Sequence, residues 1–135
     1  MDDTGPDAEA IEFAHRMFDL ARAGDERLLG YVDAGVPVDL TDAKGNTLLM
    51  LAAYHEHAPL VAALAARGAD IDRLNDRGQS PLAGAVFKSA SDVVDMLLGA
   101  GADPSRGQPS ALETARFFGN DELAGRLRNS DPNSR

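Results

Sequence analysis

The sequence predicts an all-α fold, a solenoid of about four helix-turn-helix units that are joined by β-turn fingers. The main evidence is a repeat, because equivalent residues recur at a fixed distance of 33 positions. Four pairs carry this period: Gly45 and Gly78, Leu49 and Leu82, Ala52 and Ala85, and Gly68 and Gly101. The composition agrees, since 44% of the residues are hydrophobic but only 5% are aromatic. A core made mainly of Leu, Ala and Val suits thin helical layers that stack closely.

The first unit is expected to follow a disordered lead at residues 1–6. Asp7 is placed to cap a helix whose apolar residues recur at helical spacing. Gly24 is expected to end that helix, and Gly35 is expected to end the shorter helix that follows. Gly35 lies 33 residues before Gly68, so the period extends back to this unit. The long first helix fits a terminal repeat, which must cover an open end of the stack.

The first helices of the next three units each follow a hydroxyl side chain. Thr47, Ser80 and Ser110 hold equivalent positions and can accept hydrogen bonds from the free amides of a first helical turn. Pro81 follows Ser80 at the position where a missing amide is harmless. Glu113 has the spacing from Ser110 that is typical of a capping box. These residues predict where three helices begin.

Polar turns are expected between the units. Residues 42–45 read Asp-Ala-Lys-Gly and residues 75–78 read Asn-Asp-Arg-Gly, and both sequences favour β-turns. Gly101 and Ser110 are only nine positions apart, so we expect the last finger to be truncated. A flexible tail is expected at residues 129–135. The array is expected at residues 7–128, with unit boundaries near 7–40, 41–73, 74–105 and 106–128.

The charge of the chain limits its partners. The formal net charge is −9, which argues against nucleic acid and against anionic membrane surfaces as partners. It favours a protein with a basic patch only weakly, and the simpler interpretation is that the acidity keeps a cytosolic protein in solution. The chain has no Cys, which excludes disulfides and thiolate chemistry. No apolar run has the length of a membrane span, and the N-terminus is acidic where a signal peptide is basic, so we expect a cytoplasmic protein.

These residues resemble the ankyrin repeat family, and the resemblance covers nearly the whole chain. The pattern of that family runs from Gly and Thr-Pro-Leu-His through Ala-Ala and a Gly-His turn to Gly-Ala-Asp. Its His after Leu is replaced here by Met50, Ala83 and Glu113, so we expect the hydrogen bonds of that His to be absent. The resemblance indicates a small stand-alone protein of the bacterial type. The matching residues are Gly45, Thr47, Leu49, Ala52, Ala53, His57, Gly68, Ala69 and Asp70, and then Gly78, Ser80, Pro81, Leu82, Ala85, Gly101, Ala102 and Asp103.

The resemblance implies a non-catalytic module that binds a protein partner on the concave face of its fingers and first helices. It implies no cofactor, no metal and no catalytic residue, and we expect a monomer. Transferred position by position, the partner-binding residues are Lys44, Asn46, Tyr54, His55, Asp76, Arg77, Gln79, Phe87, Lys88 and Phe117.

An aromatic column is the most specific feature of that surface. Tyr54, Phe87 and Phe117 occupy the same position in three successive units. Aromatic residues are enriched among the residues that dominate binding energy, so the column is a candidate anchor site. The alternative is that the rings stack on one another, or cover the bases of the fingers, and only fill space. An aromatic row with Lys44, Arg77 and Lys88 nearby suits an acidic and hydrophobic peptide.

Other functions have less support in the sequence. His55 and His57 lie two residues apart and do not share a helix face, which disfavours a metal site. No Ser/His/Asp order, phosphate loop or metal-spaced cluster is found. A regulatory, inhibitory or chaperone-like subunit of a specific enzyme, in a stress response or as an antitoxin, is a further hypothesis. A small enzyme with an unrecognised site and a self-associating structural protein are the remaining ones.

Overall fold

The computed structural model describes residues 6–131, which form four pairs of helices and the turns between them. The described residues contain no strand, and their only ladder contacts are two isolated bridges, Thr41 with Thr47 and Gly107 with Ser110. The all-α solenoid of helix-turn-helix units is therefore confirmed. The helices are α1 Pro6–Ala23, α2 Arg27–Asp33, α3 Leu48–Tyr54, α4 Ala58–Ala66, α5 Pro81–Phe87, α6 Ser91–Gly99, α7 Ala111–Phe117 and α8 Asp121–Ser130.

The first helix of each pair builds the stack. Contacts run from α1 to α3, from α3 to α5 and from α5 to α7, while α4 packs against α6. The repeated positions lie between these layers, since Leu49, Leu82, Ala52 and Ala85 have no solvent exposure. In α3 and in α5 a buried leucine is followed three residues later by a buried alanine, Leu49 by Ala52 and Leu82 by Ala85. Small residues at these positions let neighbouring helices approach closely.

The predicted capping residues start their helices. Thr47 Oγ1 accepts a hydrogen bond from the Met50 amide at 3.1 Å, and Ser80 Oγ accepts one from the Ala83 amide at 3.0 Å. Ser110 and Glu113 form the complete capping box. These bonds satisfy first-turn amides that have no partner within the helix, so the local sequence determines where α3, α5 and α7 begin.

The fingers are β-turns that bond to one another. The Gly45 amide donates to the Asp42 carbonyl at 3.0 Å, and the Gly78 amide donates to the Asn75 carbonyl at 2.9 Å. The Asp76 amide donates to the Lys44 carbonyl, which joins the two turns across the repeat. The shorter last finger is attached in the same way, because the Gln108 amide donates to the Gly78 carbonyl at 3.0 Å. Each finger is thus held in register by its neighbour.

The ends of the array differ by a few positions from the expected boundaries. α1 is the long terminal helix, with 18 residues, and it begins at Pro6, so Asp7 lies in the first turn instead of capping it. Proline is well suited to that position. α8 continues to Ser130, whose hydroxyl donates to the Arg126 carbonyl, so two residues of the expected tail are helical. The rest of the expected lead, residues 1–5, and residues 132–135 lie outside the described part of the chain.

No helix within residues 6–131 combines the length and the apolar character that a membrane span requires.

Candidate functional site

A groove of about 410 Å³ crosses the surface between the fingers and the first helices. Residues of three successive units line it, because α3, α5 and α7 stand side by side and the fingers continue their edge. The lining residues are Lys44, Asn46, Met50, Leu51, Tyr54, Asn75, Arg77, Gln79, Ser80, Pro81, Ala83, Gly84, Phe87, Pro109 and Thr114.

Six of the ten predicted partner-binding residues line this groove, and four lie outside the lining. Lys88 and His55 are at its border, since Lys88 Nζ lies 4.9 Å from the centroid of the Tyr54 ring and the His55 ring lies 5.7 Å from it. Asp76 is exposed on its finger, and Phe117 is exposed on α7. The six lining residues are Lys44, Asn46, Tyr54, Arg77, Gln79 and Phe87.

The aromatic column is exposed along its whole length. Tyr54 is 44% exposed, Phe87 is 57% exposed and Phe117 is 84% exposed. Phe118 joins the last two, because its ring centroid lies 5.8 Å from that of Phe87 and 5.3 Å from that of Phe117. Both of these pairs have edge-to-face geometry, which aromatic rings favour. The column therefore continues into a small exposed aromatic cluster at the last unit.

The floor of the groove is made by residues that the sequence interpretation did not select. Met50, Leu51 and Ala83 are buried residues of the groove lining, and Gly84 lies beside Tyr54. A Cβ atom on Gly84 would lie 3.7 Å from Tyr54 Cδ1, so the absence of a side chain leaves room there. A glycine inside a helix lowers its stability, and this was the sequence signal that could have pointed to the groove floor.

A row of amide side chains forms the finger side of the groove. Asn75 Nδ2 donates to Asn46 Oδ1 and to Gln79 Oε1, both at 2.9 Å. Asn75 Oδ1 accepts from the amides of Arg77 and Gln79 at 3.0 Å. Asn75 thus fixes its own turn and connects it to the preceding finger. Its position in an Asn-Asp-Arg-Gly turn was visible in the sequence, but its bond to Asn46 was not.

The histidines have different roles in this region. His57 Nε2 donates to the Arg22 carbonyl at 2.7 Å and so ties the turn before α4 to the end of α1. The pKa of His55 is lowered from its ordinary value of 6.5, first by burial and then by the positive charges of His57, Arg22 and Lys88. His55 therefore adds no cation to the groove border at neutral pH. Among residues 6–131, no group of three or more His, Cys, Asp or Glu side chains is placed to hold a metal ion.

The stacked helix pairs and their fingers match known proteins in sequence and in shape. A family model that comprises three copies of the ankyrin repeat matches residues 18–108. The chain belongs to the ankyrin repeat family. Ankyrin repeats are generally protein–protein interaction modules, and the fold itself is a non-catalytic one.

Individual relatives of this ankyrin repeat chain are mostly longer proteins. A Pseudomonas aeruginosa protein named for its ankyrin repeats is 50% identical over 56 residues, which are 41% of this chain and 33% of that protein. The NF-kappa-B p105 subunit of Rattus norvegicus is 37% identical over 127 residues, which are 87% of this chain and 13% of that protein. The human ASB11 ankyrin repeat domain matches with a TM-score of 0.72 at 24% identity, over 87% of this chain and 54% of that one. The chain thus spans only part of each relative, and the last likeness concerns the fold alone.

Proposed function

We propose that this ankyrin repeat chain is a non-catalytic protein–protein interaction module that holds its partner in the groove between the fingers and the first helices. One observation carries the proposal: Tyr54 and Phe87 line the groove with 44% and 57% of their surface exposed. Exposed aromatic side chains that are grouped around a hollow are typical of binding sites for other proteins.

The groove is also preorganised for binding. Its first helices start at side-chain caps, and its fingers are bonded to one another through the Asp76 amide and the Asn75 side chain. A surface that is already ordered loses little conformational entropy when a partner binds. The available binding energy can therefore go into affinity and specificity.

The proposal extends to the kind of partner and its location. The net charge of −9 opposes binding to nucleic acid or to anionic membranes, so the partner is a protein. We place the chain in the cytoplasm as a monomer without cofactors. Light scattering over a range of concentrations tests the monomeric state, because the average molar mass of a self-associating protein increases with its concentration.

A pair of substitutions in the groove tests the proposed function. The double variant Tyr54→Ala/Phe87→Ala removes both exposed rings while it leaves the buried floor intact. We expect the amount of partner captured from cell extract to fall about tenfold or more, because aromatic anchors contribute a large part of binding energy. The melting temperature should stay nearly unchanged, since exposed side chains contribute little to stability.

Ile11→Ala is the matched control, because Ile11 is an exposed apolar residue, at 56%, on α1 and outside the groove. It should capture the same partner as the unaltered chain. If the double variant still captures the partner, the proposal is contradicted. A large loss of stability in the double variant would also contradict it, because the rings would then contribute to packing and not to binding. A captured enzyme whose rate changes when the chain is added would identify the module as a regulatory or inhibitory subunit.

A further inference from the structure

The charge of the groove is opposite to the charge of the chain. The whole sequence has 22 Asp and Glu residues against 13 Lys and Arg residues. The groove lining nevertheless contains Lys44 and Arg77 and not one carboxylate. Lys88 adds a third cation at the border, where it lies over the Tyr54 ring. A cationic strip therefore crosses an acidic protein beside the exposed rings of Tyr54 and Phe87.

These cations are available to a partner. Arg22, Arg27, Arg67 and Arg126 form ion pairs with carboxylates of the array, and none of these four residues lines the groove. Lys44 and Arg77 are both exposed. Within the described residues, neither cation is paired with a carboxylate.

Two carboxylates near the groove, Asp42 and Glu113, bind backbone amides of their own turns. Asp42 accepts hydrogen bonds from the amides of Lys44 and Asn46, both at 2.9 Å. Glu113 accepts from the Ser110 amide at 2.9 Å as part of the capping box. The carboxylate of Asp76 lies against Gly45 of the preceding finger. None of these groups is among those that line the groove.

We propose that the groove binds an acidic peptide segment that carries large apolar side chains. Its carboxylates face Lys44 and Arg77 on the finger side, and its apolar side chains pack between Tyr54 and Phe87 and over the floor at Met50. This inference rests on the proposed function, because it names the chemistry of the partner for the same groove. Complementary charge contributes specificity and fast association, while the aromatic rings contribute affinity.

The size of the groove limits the segment. Its lining extends over α3, α5 and Thr114 of α7, and neighbouring packed helices are about 8–10 Å apart. Three helices therefore span about 20 Å, which an extended chain covers with about six residues. The bound segment is short, and acidic residues at alternate positions would place their carboxylates on the finger side.

Selection from a phage library of random dodecapeptides tests this inference, because the selection requires no identified partner. Panning on the full chain should enrich peptides that combine Asp and Glu with Phe, Leu, Tyr or Trp. A synthetic copy of an enriched peptide should bind at least about tenfold more weakly to the double variant Lys44→Glu/Arg77→Glu. Its binding to the unaltered chain should also weaken as salt is raised, because exposed charges are screened.

The control has the same change of net charge at a distance from the groove. Arg16→Glu/Arg106→Glu alters two exposed arginines outside the lining and should bind the enriched peptide as the unaltered chain does. Panning on Lys44→Glu/Arg77→Glu itself should enrich Lys and Arg instead of Asp and Glu. Circular dichroism confirms that each variant keeps its helices.

The other outcomes separate this inference from the proposed function. Enriched peptides that are neutral or basic, but that are lost with Tyr54→Ala/Phe87→Ala, would overturn the acidic partner and leave the groove as the binding site. If enriched acidic peptides still bind to Tyr54→Ala/Phe87→Ala and to Lys44→Glu/Arg77→Glu, both the acidic partner and the groove as the binding site are overturned. The same conclusion would follow if panning enriched no peptide that depends on the groove.

Discussion

At the scale of single residues, the turns within the helix pairs contain two strained positions. Glu56 has a φ of 67° and Ser89 has a φ of 56°, whereas the equivalent turns of the first and last pairs use Gly24 and Gly119. Residues with a side chain reach this left-handed conformation at a cost of about 1–2 kcal/mol, and glycine reaches it freely. The turns at Gly24 and Gly119 thus indicate that glycine is the residue type that fits the positions of Glu56 and Ser89.

Replacing either residue by glycine is expected to stabilise the array. Glu56→Gly or Ser89→Gly should raise the free energy of unfolding by about 0.5–1 kcal/mol, since relief of strain exceeds the added freedom of the unfolded chain. Urea denaturation followed by circular dichroism measures the change. Glu26→Gly is the control, because Glu26 has a φ of −71° and no strain to relieve, so it should not gain stability. Equal effects at all three sites would refute the explanation.

At the scale of an element, the first finger depends on one carboxylate. Burial by itself would raise the pKa of Asp42, but hydrogen bonds from the amides of Asn46 and Lys44, the Asn46 side chain and the charge of Arg22 lower it below its ordinary value of 3.8. The folded protein thus favours the ionised form. Such a group stabilises the fold above its ordinary pKa, and this contribution is lost as the pH falls through the lowered value.

The substitution Asp42→Asn is expected to remove this dependence on pH. At neutral pH the variant should be about 1–2 kcal/mol less stable, because charge-assisted bonds to two amides and to Asn46 become neutral ones. The difference from the unaltered chain should shrink as the pH is lowered below 3.8, where the native carboxyl takes up its proton. Urea denaturation at several pH values measures this difference in stability. Asp76→Asn, on the next finger, is the control. A difference that does not change with pH would contradict the role of the charge.

At the scale of the whole molecule, stability depends on contacts between units. Leu49 and Leu82 are completely buried between layers that each contribute only one side of the contact. A single helix pair cannot bury its apolar face alone, so neighbouring units must fold together. A substitution in a middle layer should therefore lower the stability of the complete array, whereas a substitution at the exposed surface should not.

Truncation of a repeated leucine tests this coupling. Leu82→Ala should lower the free energy of unfolding by about 3 kcal/mol, through lost contacts and the cavity that remains. Unfolding should stay a single transition when it is followed both by circular dichroism and by Tyr fluorescence. Phe117→Ala, at a residue that is 84% exposed, should change stability by less than about 0.5 kcal/mol. Separate transitions for the two halves of the chain would contradict the cooperative stack.

Much of this architecture follows from the order of residues alone. The period of 33 located Leu49, Leu82 and their equivalents in the core, and the caps at Thr47 and Ser80 located the starts of helices. These features were predictable because they depend on local hydrogen bonds and on positions that every unit repeats. The family pattern has a glycine before the turn His, which here is His57, but only the folded turn shows that Glu56 takes the left-handed conformation at that position.

The groove required the folded molecule. The period assigned Tyr54 and Phe87 to one column, but only the stack shows that Asn75 bonds to Asn46, 29 residues away, and that Phe118 joins the column. It also shows that the cations at Lys44 and Arg77 line a groove without carboxylates. A repeat determines the place of a residue within its own unit. Which side chains meet across units depends on how each layer and finger packs on the next, and that packing is a property of the whole chain.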